Sequence, residues 1–329
     1  MLKPEISIVI PVYNAKKTLN SCLKAIYDST HKNFELIVVD DCSTDSSANI
    51  AKNYPCRIFK LKKNSGPAIA RNLGANKAIS DIIFFVDSDV LLLNDAIGNV
   101  IKTFEENKDI GAVVGIYAKQ PANKGLFKKY MALRKFNDFT SQKNKYFSHI
   151  TGACSAIKKE IFHEFNGFNT KYRGADVEDY EFGHKISKKY KILLNPKIQG
   201  KHFNPKFSSC VKNYYKRSKQ WFSLFIKRRK FSSGAATKGR GIASLAGFLS
   251  IILLPFSFIL FELIYIPLIL FIVFLINNLD FYLLCIKEKG TLFMIYAIIV
   301  NYLLTLPIGL GISASIISNI SNIFKGENK

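Results

Sequence analysis

Long apolar stretches in the C-terminal part of the sequence constrain the fold of this chain most strongly. Three stretches carry no charged residue: 242–261, 263–279 and 290–324. A helix needs about 20 mostly apolar residues to cross a bilayer. We therefore predict a transmembrane region over 241–329. Its segments are expected at 242–261, 263–279 and 292–312. Pro255, Glu262 and Pro267 interrupt the first two, so a re-entrant hairpin is the alternative there.

A strongly basic block precedes this region. Between Glu181 and Gly241 there are 17 Lys and Arg residues and no acidic residue, in a chain whose formal net charge is +23. Because the block runs directly into apolar segments, it favours anionic lipid headgroups over nucleic acid as its partner. Lys287 and Lys289 also separate the second and third segments. The positive-inside rule therefore predicts a multi-pass protein of the cell membrane with a cytoplasmic N-terminal domain.

Residues 207–231 of the basic block mix aromatic and basic side chains. Tyr214 and Trp221 approximate one face of a helix, while Lys212 and Lys216 lie more to the other side. This pattern predicts an amphipathic segment, within 206–240, at the membrane surface. A helix packed on the N-terminal domain is the alternative, and the two arrangements are compatible.

Residues 1–205 are predicted to form the catalytic domain. Short apolar runs alternate with segments of helical spacing, which predicts an α/β fold with a Rossmann-like, mostly parallel sheet and helices on both faces. Strands are expected at 6–12, 34–39, 57–61, 82–86, 112–117, 148–157 and 191–194. Helices are expected at 15–28, 46–52, from 67 onward, and at 95–106, 126–136 and 174–189. The six cysteines lack metal-type spacing, and no signal peptide is expected.

The predicted strand 82–86 runs into Asp87-Ser88-Asp89. Residues i and i+2 of an extended chain point the same way, so both carboxylates would converge on one Mg²⁺ or Mn²⁺ ion if the strand continued through Ser88. A solvated turn is the alternative, because Asp and Ser are common turn residues. Two other predicted strands end in Tyr13-Asn14 and Asp40-Asp41. Several polar strand ends on one sheet indicate a ligand site at its carboxyl edge.

Acidic residues also open the predicted helix at 174–189. Glu178 and Asp179 would stabilise a helix N-terminus as ordinary capping charges. Alternatively, one of them acts as a general base toward an acceptor hydroxyl, which requires only a lone pair aimed at that proton.

Five motifs together resemble glycosyltransferase family 2, the inverting nucleotide-sugar transferases with the A-type fold. They occur in the family's order: Ser7-Ile-Val-Ile-Pro-Val-Tyr-Asn14, Val38-Val-Asp-Asp-Cys-Ser-Thr-Asp45, Asn64-Ser-Gly-Pro-Ala-Ile-Ala-Arg-Asn-Leu-Gly74, Val86-Asp-Ser-Asp89 and Val177-Glu-Asp-Tyr-Glu181. The tail resembles a membrane-bound bacterial branch. Cys42 stands where the family usually has Gly. Arg217-Ser-Lys-Gln220-Trp221 departs from the Gln-x-x-Arg-Trp motif of the processive synthases, so we expect transfer of a single sugar.

The resemblance implies a role for each matching residue. The nucleotide pocket would contain Pro11, Tyr13, Asp40, Asp41, Arg71 and Asp87. A divalent cation, Mg²⁺ or Mn²⁺, would bind Asp89, with Asp87 and His202 as further ligands. Asp179 would act as the general base, with Glu178 as its neighbour.

These roles imply an inverting hexosyltransferase that moves one sugar from a nucleotide-diphospho-sugar to a lipid-linked or glycan acceptor in cell-envelope glycan or glycolipid synthesis. A polyprenyl-phosphate sugar synthase is the nearest alternative. A catalytically silent membrane module that binds nucleotide sugar or lipid is an alternative of another class. A nucleic-acid partner is not expected.

Overall fold

The computed structural model describes residues 3–142, 144–172, 174, 177–229, 231 and 237–324. The chain divides into two compact units, Met1–Asn204 and Pro205–Lys329. They are called the N-terminal unit and the C-terminal unit below.

The described part of the N-terminal unit contains nine strands and seven helices. The strands are β1 (Ile6–Val12), β2 (Phe34–Asp40), β3 (Arg57–Lys60), β4 (Ile82–Val86), β5 (Val90–Leu92), β6 (Ile110–Tyr117), β7 (Tyr146–Phe147), β8 (Cys154–Lys158) and β9 (Lys191–His202). The helices are α1 (Leu19–Tyr27), α2 (Ser47–Ala51), α3 (Pro67–Lys77), α4 (Ala96–Glu106), α5 (Leu126–Thr140), α6 (Lys159–Glu164) and α7 (Glu178–Ile186).

These strands form one mixed sheet in the order β3-β2-β1-β4-β8-β6-β9-β5, with β7 paired to β9. Strands β3, β2, β1 and β4 run parallel, as the alternation of strands and helices predicts. Strand β8 runs antiparallel between β4 and β6, and β5 and β7 are antiparallel to β9. The α/β fold is therefore confirmed, and the parallel arrangement is strongest in the first half of the sheet.

The alternation of side chains along β1 builds a core on both faces of the sheet. Ile8 and Ile10 belong to one buried cluster, together with residues of α1 and α4. Val9 belongs to the opposite cluster, which includes residues of α3. Helix α3 approaches the sheet closely because Gly74 lies directly against Val9, where a Cβ atom would clash. Successive residues of one strand thus bury both sheet faces.

One predicted strand is shorter than expected. Only Cys154–Lys158 of the predicted strand 148–157 is extended in the sheet, and the preceding residues form a loop. Gly152 is a small residue within this predicted strand. The structure places it in that loop instead, directly against the side chain of Arg71.

The C-terminal unit is helical in its described part. Its helices are α8 (Phe207–Arg228), α9 (Lys238–Leu253), α10 (Tyr265–Ile276), α11 (Leu279–Lys289) and α12 (Thr291–Phe324). Two short 3₁₀ helices, Leu254–Phe258 and Phe261–Ile264, lie between α9 and α10.

Two helical stretches among the described residues, Lys238–Phe258 and Thr291–Asn319, are long and apolar enough to cross a membrane. A third candidate is the pair Phe261–Ile276 and Leu279–Lys289, which is bent by 61°. The 12 residues of α10 correspond to about 18 Å of helix. This length is short of the hydrocarbon core of about 30 Å. The predicted segment 263–279 could therefore span a bilayer only as part of the bent pair.

Polar side chains inside the C-terminal unit are paired across helices. The Ser250 hydroxyl donates to the Pro267 carbonyl at 2.8 Å and lies 2.8 Å from the Tyr302 hydroxyl. The Arg240 guanidinium donates to Asn278 Oδ1 at 2.8 Å. Interhelical hydrogen bonds of this kind stabilise helix association where water is scarce. They fit the apolar character of this unit.

Candidate functional site

The carboxyl ends of β2, β1 and β4 lie side by side. Strand β1 pairs in parallel with both neighbours, so the loops that follow the three strands emerge at one edge of the sheet. Asn14 ties two of these loops together, because its Oδ1 accepts the N–H of Thr44 at 2.8 Å. The predicted convergence of polar strand ends at one edge is present in the structure.

The side chains of Asp40 and Asp41 are buried and hold the backbone of the adjoining loops. Asp40 Oδ1 accepts the N–H of Ser43 at 2.9 Å. The two oxygens of Asp41 accept the N–H groups of Ser65 and Gly66, each at 2.7 Å. These bonds fix the turn after β2 and the start of α3. Both aspartates therefore shape this edge of the sheet through backbone contacts.

Cys42 adopts a backbone conformation that ordinarily favours glycine. Its φ angle is 61°, in the left-handed region where a side chain adds steric cost. This observation explains in physical terms why a glycine is the usual residue at the matching position of the family motif. The turn is retained here despite the cysteine.

Pro11 and Tyr13 differ in accessibility. Pro11 is buried within β1, whereas the side chain of Tyr13, just past the strand, is 48% exposed. Tyr13 therefore offers an accessible aromatic ring at the edge where the three loops meet. Pro11 supports the strand beneath it.

Arg71 on α3 lies at the centre of a buried group of charges. Its guanidinium donates to Asp87 Oδ1 at 2.8 Å and to Glu178 Oε1 at 3.0 Å. Burial lowers the pKa of Arg71, but Asp87 and Glu178 outweigh burial and shift the pKa upward, so the charge is retained. Gly152 contacts the guanidinium so closely that no Cβ atom would fit there. We call Arg71, Asp87 and Glu178 the paired cluster.

Asp179 follows the paired cluster on the first turn of α7. Glu178 is 3% exposed, whereas Asp179 is partly accessible and its Oδ1 accepts the N–H of Tyr180 at 2.9 Å. The Tyr180 ring stacks on His149, with ring centroids 4.4 Å apart and planes 3° apart. This stack fixes the turn that carries Asp179. Of the two predicted catalytic carboxylates, Asp179 is thus the accessible one.

The extended conformation of β4 does not continue through Ser88. The strand ends at Val86, and the N–H of Val90 donates to the Asp87 carbonyl at 3.0 Å, which closes a turn. The two carboxylates therefore have different protein partners. Asp87 contacts Arg71, and Asp89 Oδ2 lies 3.4 Å from His202 Nε2.

Asp89 has a carboxylate oxygen without a protein partner. Its Oδ1 is buried and makes no hydrogen bond among the described residues. Burial, and next the negative charge of Asp87, raise the pKa of Asp89 to about 7. A cation bound at this oxygen would stabilise the ionised form of Asp89.

His202 is the last residue of β9 and lies between Asp89 and α5. Its Nδ1 is 3.2 Å from Lys135 Nζ and 3.1 Å from Asn204 Oδ1. Burial, followed by the charge of Lys135, lowers the pKa of His202 well below its usual value, so the imidazole is neutral at pH 7. Lys135 was not among the predicted site residues, because the sequence indicates only that it lies in a basic predicted helix. We call Asp89, His202 and Lys135 the open cluster.

The open cluster fits a divalent cation that takes further ligands from a substrate. No group of three His, Cys, Asp or Glu side chains in the described ranges is arranged to hold a metal ion by itself. However, the buried Oδ1 of Asp89 and the neutral ring of His202 are suitable donors. Mg²⁺ commonly binds one or two carboxylates and completes its coordination with water and substrate phosphates.

Comparisons with known proteins agree with this architecture. Residues 7–165 match the family model described as glycosyl transferase family 2. An uncharacterized glycosyltransferase of Haemophilus influenzae is 30% identical over 236 residues, which are 70% of this chain and 91% of the relative. TuaG of Bacillus subtilis, provisionally named a teichuronic acid biosynthesis glycosyltransferase, is 36% identical over 26% of this chain and 36% of TuaG. Other relatives are much longer, and the chain matches as little as 16% of their length.

A solved structure extends the likeness to nearly the whole chain. The mannosyltransferase PcManGT of Pyrobaculum calidifontis, solved in complex with GDP-Man and Mn²⁺, aligns with a TM-score of 0.57 at 20% identity and covers 97% of this chain and 88% of its own. At this identity the match shows the fold, and the sequence matches show the family. The chain belongs to glycosyltransferase family 2 and has the A-type glycosyltransferase fold.

Proposed function

We propose that this protein is an inverting, metal-dependent hexosyltransferase that moves one sugar from a nucleotide-diphospho-sugar to a lipid-linked or glycan acceptor. The observation that carries the proposal is the buried, unpartnered Oδ1 of Asp89 beside a neutral His202 at the carboxyl edge of the sheet. The GDP-Man and Mn²⁺ bound to PcManGT support this donor class and this cation.

The nucleotide is proposed to bind over the loops that follow β1, β2 and β4. Tyr13 supplies an exposed ring for the base, and Pro11 supports it. Both oxygens of Asp41 are already occupied by backbone N–H groups. Asp41 therefore shapes the pocket for base and ribose, while Asp40, whose Oδ2 makes no hydrogen bond among the described residues, lies beside it in the same pocket. Arg71 holds Asp87 in place beneath the phosphates.

The transfer step requires charge stabilisation and removal of one proton. Asp89 and His202 would hold the divalent cation, which offsets the negative charge of the departing nucleoside diphosphate. Asp179 accepts the proton of the acceptor hydroxyl while the oxygen attacks the anomeric carbon from the face opposite the leaving group. A single displacement of this kind inverts the anomeric configuration. Glu178 positions the turn of Asp179 through its bond to Arg71.

The acceptor is proposed to be presented at a membrane. The basic stretch before Gly241 and the helices able to cross a bilayer support an anionic membrane surface as a partner. They also support a multi-pass location in the cell membrane with the catalytic domain in the cytoplasm. The name of TuaG supports a role in cell-envelope glycan synthesis.

Release of nucleoside diphosphate from a panel of nucleotide sugars tests this proposal. The full-length protein in detergent is incubated with Mn²⁺ or Mg²⁺ and with polyprenyl phosphate or extracted lipids as acceptors. We expect metal-dependent release from one donor, with loss of release in both Asp89→Asn and Asp179→Asn. Release that survives in Asp179→Asn would indicate a phosphate acceptor, which needs no general base. Donor binding without release under any condition would favour the silent module.

A further inference from the structure

The positive charge of Arg71 is already offset by two ion pairs within the protein. Its guanidinium donates to Asp87 and to Glu178, and the residue is only 4% exposed. A phosphate group could use this charge only by displacing one of these two carboxylates, of which Glu178 is buried and Asp87 is partly exposed. Removing a partner from a buried ion pair is strongly unfavourable. Another cation is therefore needed at the site of a leaving diphosphate.

Lys135 on α5 is the cation placed next to the open cluster. Its ammonium lies 3.2 Å from His202 Nδ1, and the other nitrogen of that ring lies 3.4 Å from Asp89. It also lies 4.6 Å from the centre of the Tyr117 ring, whose face favours a cation. Lys135 is close enough to lower the pKa of Asp89 by its charge, although burial and Asp87 outweigh this effect. One imidazole ring thus separates the ammonium from the cation-binding carboxylate.

The charge balance of the two clusters depends on Lys135. Asp87, Asp89 and Glu178 contribute three negative charges, and Arg71 and Lys135 contribute two positive charges. A divalent cation would make the sum +1, and without Lys135 the sum would be zero. Within these two clusters, Lys135 therefore supplies the positive charge that would face a dianionic leaving group.

We infer that Lys135 binds the phosphates of the departing nucleoside diphosphate, an inference that rests on the proposed function. A lysine ammonium has three rotatable donors on a flexible stem, so it can turn from His202 to a phosphate oxygen. When this happens, His202 carries its proton on Nδ1 and donates it to Asn204 Oδ1, which lies 3.1 Å from that nitrogen. The face of the Tyr117 ring, 4.6 Å from the ammonium, favours a cation at this place beside the open cluster.

The test compares ligands with and without phosphates. Binding of UDP, GDP, uridine and guanosine to the full-length protein is measured by calorimetry with saturating Mn²⁺. The variants are Lys135→Met, Lys135→Arg and the control Lys129→Met, which removes an exposed lysine of the same helix. We expect Lys135→Met to weaken diphosphate binding by about tenfold or more, which corresponds to about 1.4 kcal/mol. Binding of the nucleoside should be unchanged, and Lys135→Arg should restore most of the diphosphate affinity.

Each contrary outcome has a distinct meaning. Diphosphate affinity that is unchanged in Lys135→Met would overturn the role of Lys135. Equal losses for the nucleoside and the diphosphate would overturn it too, because they would indicate a structural role for this side chain. If the wild-type protein bound no nucleoside diphosphate at all, the proposed function itself would fail. Diphosphate binding by wild type together with normal binding by Lys135→Met would refute only the inference about Lys135.

Discussion

The paired cluster and the open cluster lie at the same edge of the sheet but differ in how their charges are satisfied. In the paired cluster, Arg71 bonds two carboxylates at 2.8 and 3.0 Å. In the open cluster, Asp89 keeps a buried oxygen without a partner in the described ranges, and its nearest basic neighbour is a neutral imidazole. Buried polar groups are usually hydrogen-bonded within the protein. The charges of the paired cluster therefore stabilise the fold, whereas the carboxylate of the open cluster is available to a ligand.

The largest expected effect comes from removing the carboxylate of the open cluster. Asp89→Asn keeps the size of the side chain but removes the charge that a divalent cation needs. We expect the rate of nucleoside diphosphate release to fall by about 10³-fold, comparable to the loss of a main electrostatic contact in a transition state. The thermal unfolding midpoint should remain close to that of the wild type. A variant that kept more than about a tenth of the wild-type rate would contradict this role.

Breaking the paired cluster should affect stability first. Arg71→Met leaves the buried Glu178 and the partly exposed Asp87 without their counterion, and we expect the free energy of unfolding to fall by about 3–5 kcal/mol. Lys191→Met is the control, because Lys191 pairs with Asp109 at 2.6 Å and both side chains are more than half exposed. Loss of that surface pair should change stability much less. Denaturant unfolding in detergent, followed by far-ultraviolet circular dichroism, measures the free energy of unfolding of both variants. Equal losses of stability would contradict the special role of the paired cluster in the fold.

Asp179 and Glu178 are neighbours that should respond differently to loss of charge. Asp179→Asn removes the proposed base, and we expect turnover to fall by about 10²-fold, with little change in stability. Glu178→Gln weakens the bond to Arg71, so its main effect should be on stability. Rates and unfolding midpoints measured side by side check this. The same pattern in both variants would mean that Asp179 also serves the fold.

The smallest predicted effect concerns pH. Because the pKa of Asp89 is raised to about 7, the carboxyl group binds a proton below that pH and must release it to bind a cation. Mn²⁺ affinity should therefore fall by up to about tenfold for each pH unit below 7 and level off above about pH 8. Asp87→Asn removes one cause of the raised pKa, so the midpoint should move to lower pH. An affinity independent of pH between about 5.5 and 8 would show that Asp89 is already ionised.

Much of this architecture could be predicted from the sequence because its signals are local. The apolar runs of β1, β2 and β4, and the polar residues directly after them, place three loops at one edge without any knowledge of distant contacts. The membrane-compatible stretches are likewise visible as uncharged runs. These features depend on residues that are adjacent in the chain.

The division between the two clusters could not be predicted, because it depends on contacts between distant residues. Arg71 meets Glu178 across 107 positions, and Lys135 meets His202 across 67. The same distance explains why Gly152 was predicted to lie in a strand, when it lies in a loop against Arg71. Asp87 and Asp89 look equivalent in sequence, and only the turn after Val86 directs them to different partners.

A titration with Mn²⁺, followed by electron paramagnetic resonance at about pH 7.5, tests the central distinction most directly. Wild type, Asp89→Asn and Asp87→Asn are compared as full-length proteins in detergent, without nucleotide and then with the nucleoside diphosphate that the wild type binds. If Asp89 is the carboxylate kept for the cation, Asp89→Asn will lose Mn²⁺ binding, while Asp87→Asn will retain it within about threefold. If Asp87→Asn loses Mn²⁺ and Asp89→Asn retains it, the assignment of the two clusters is wrong.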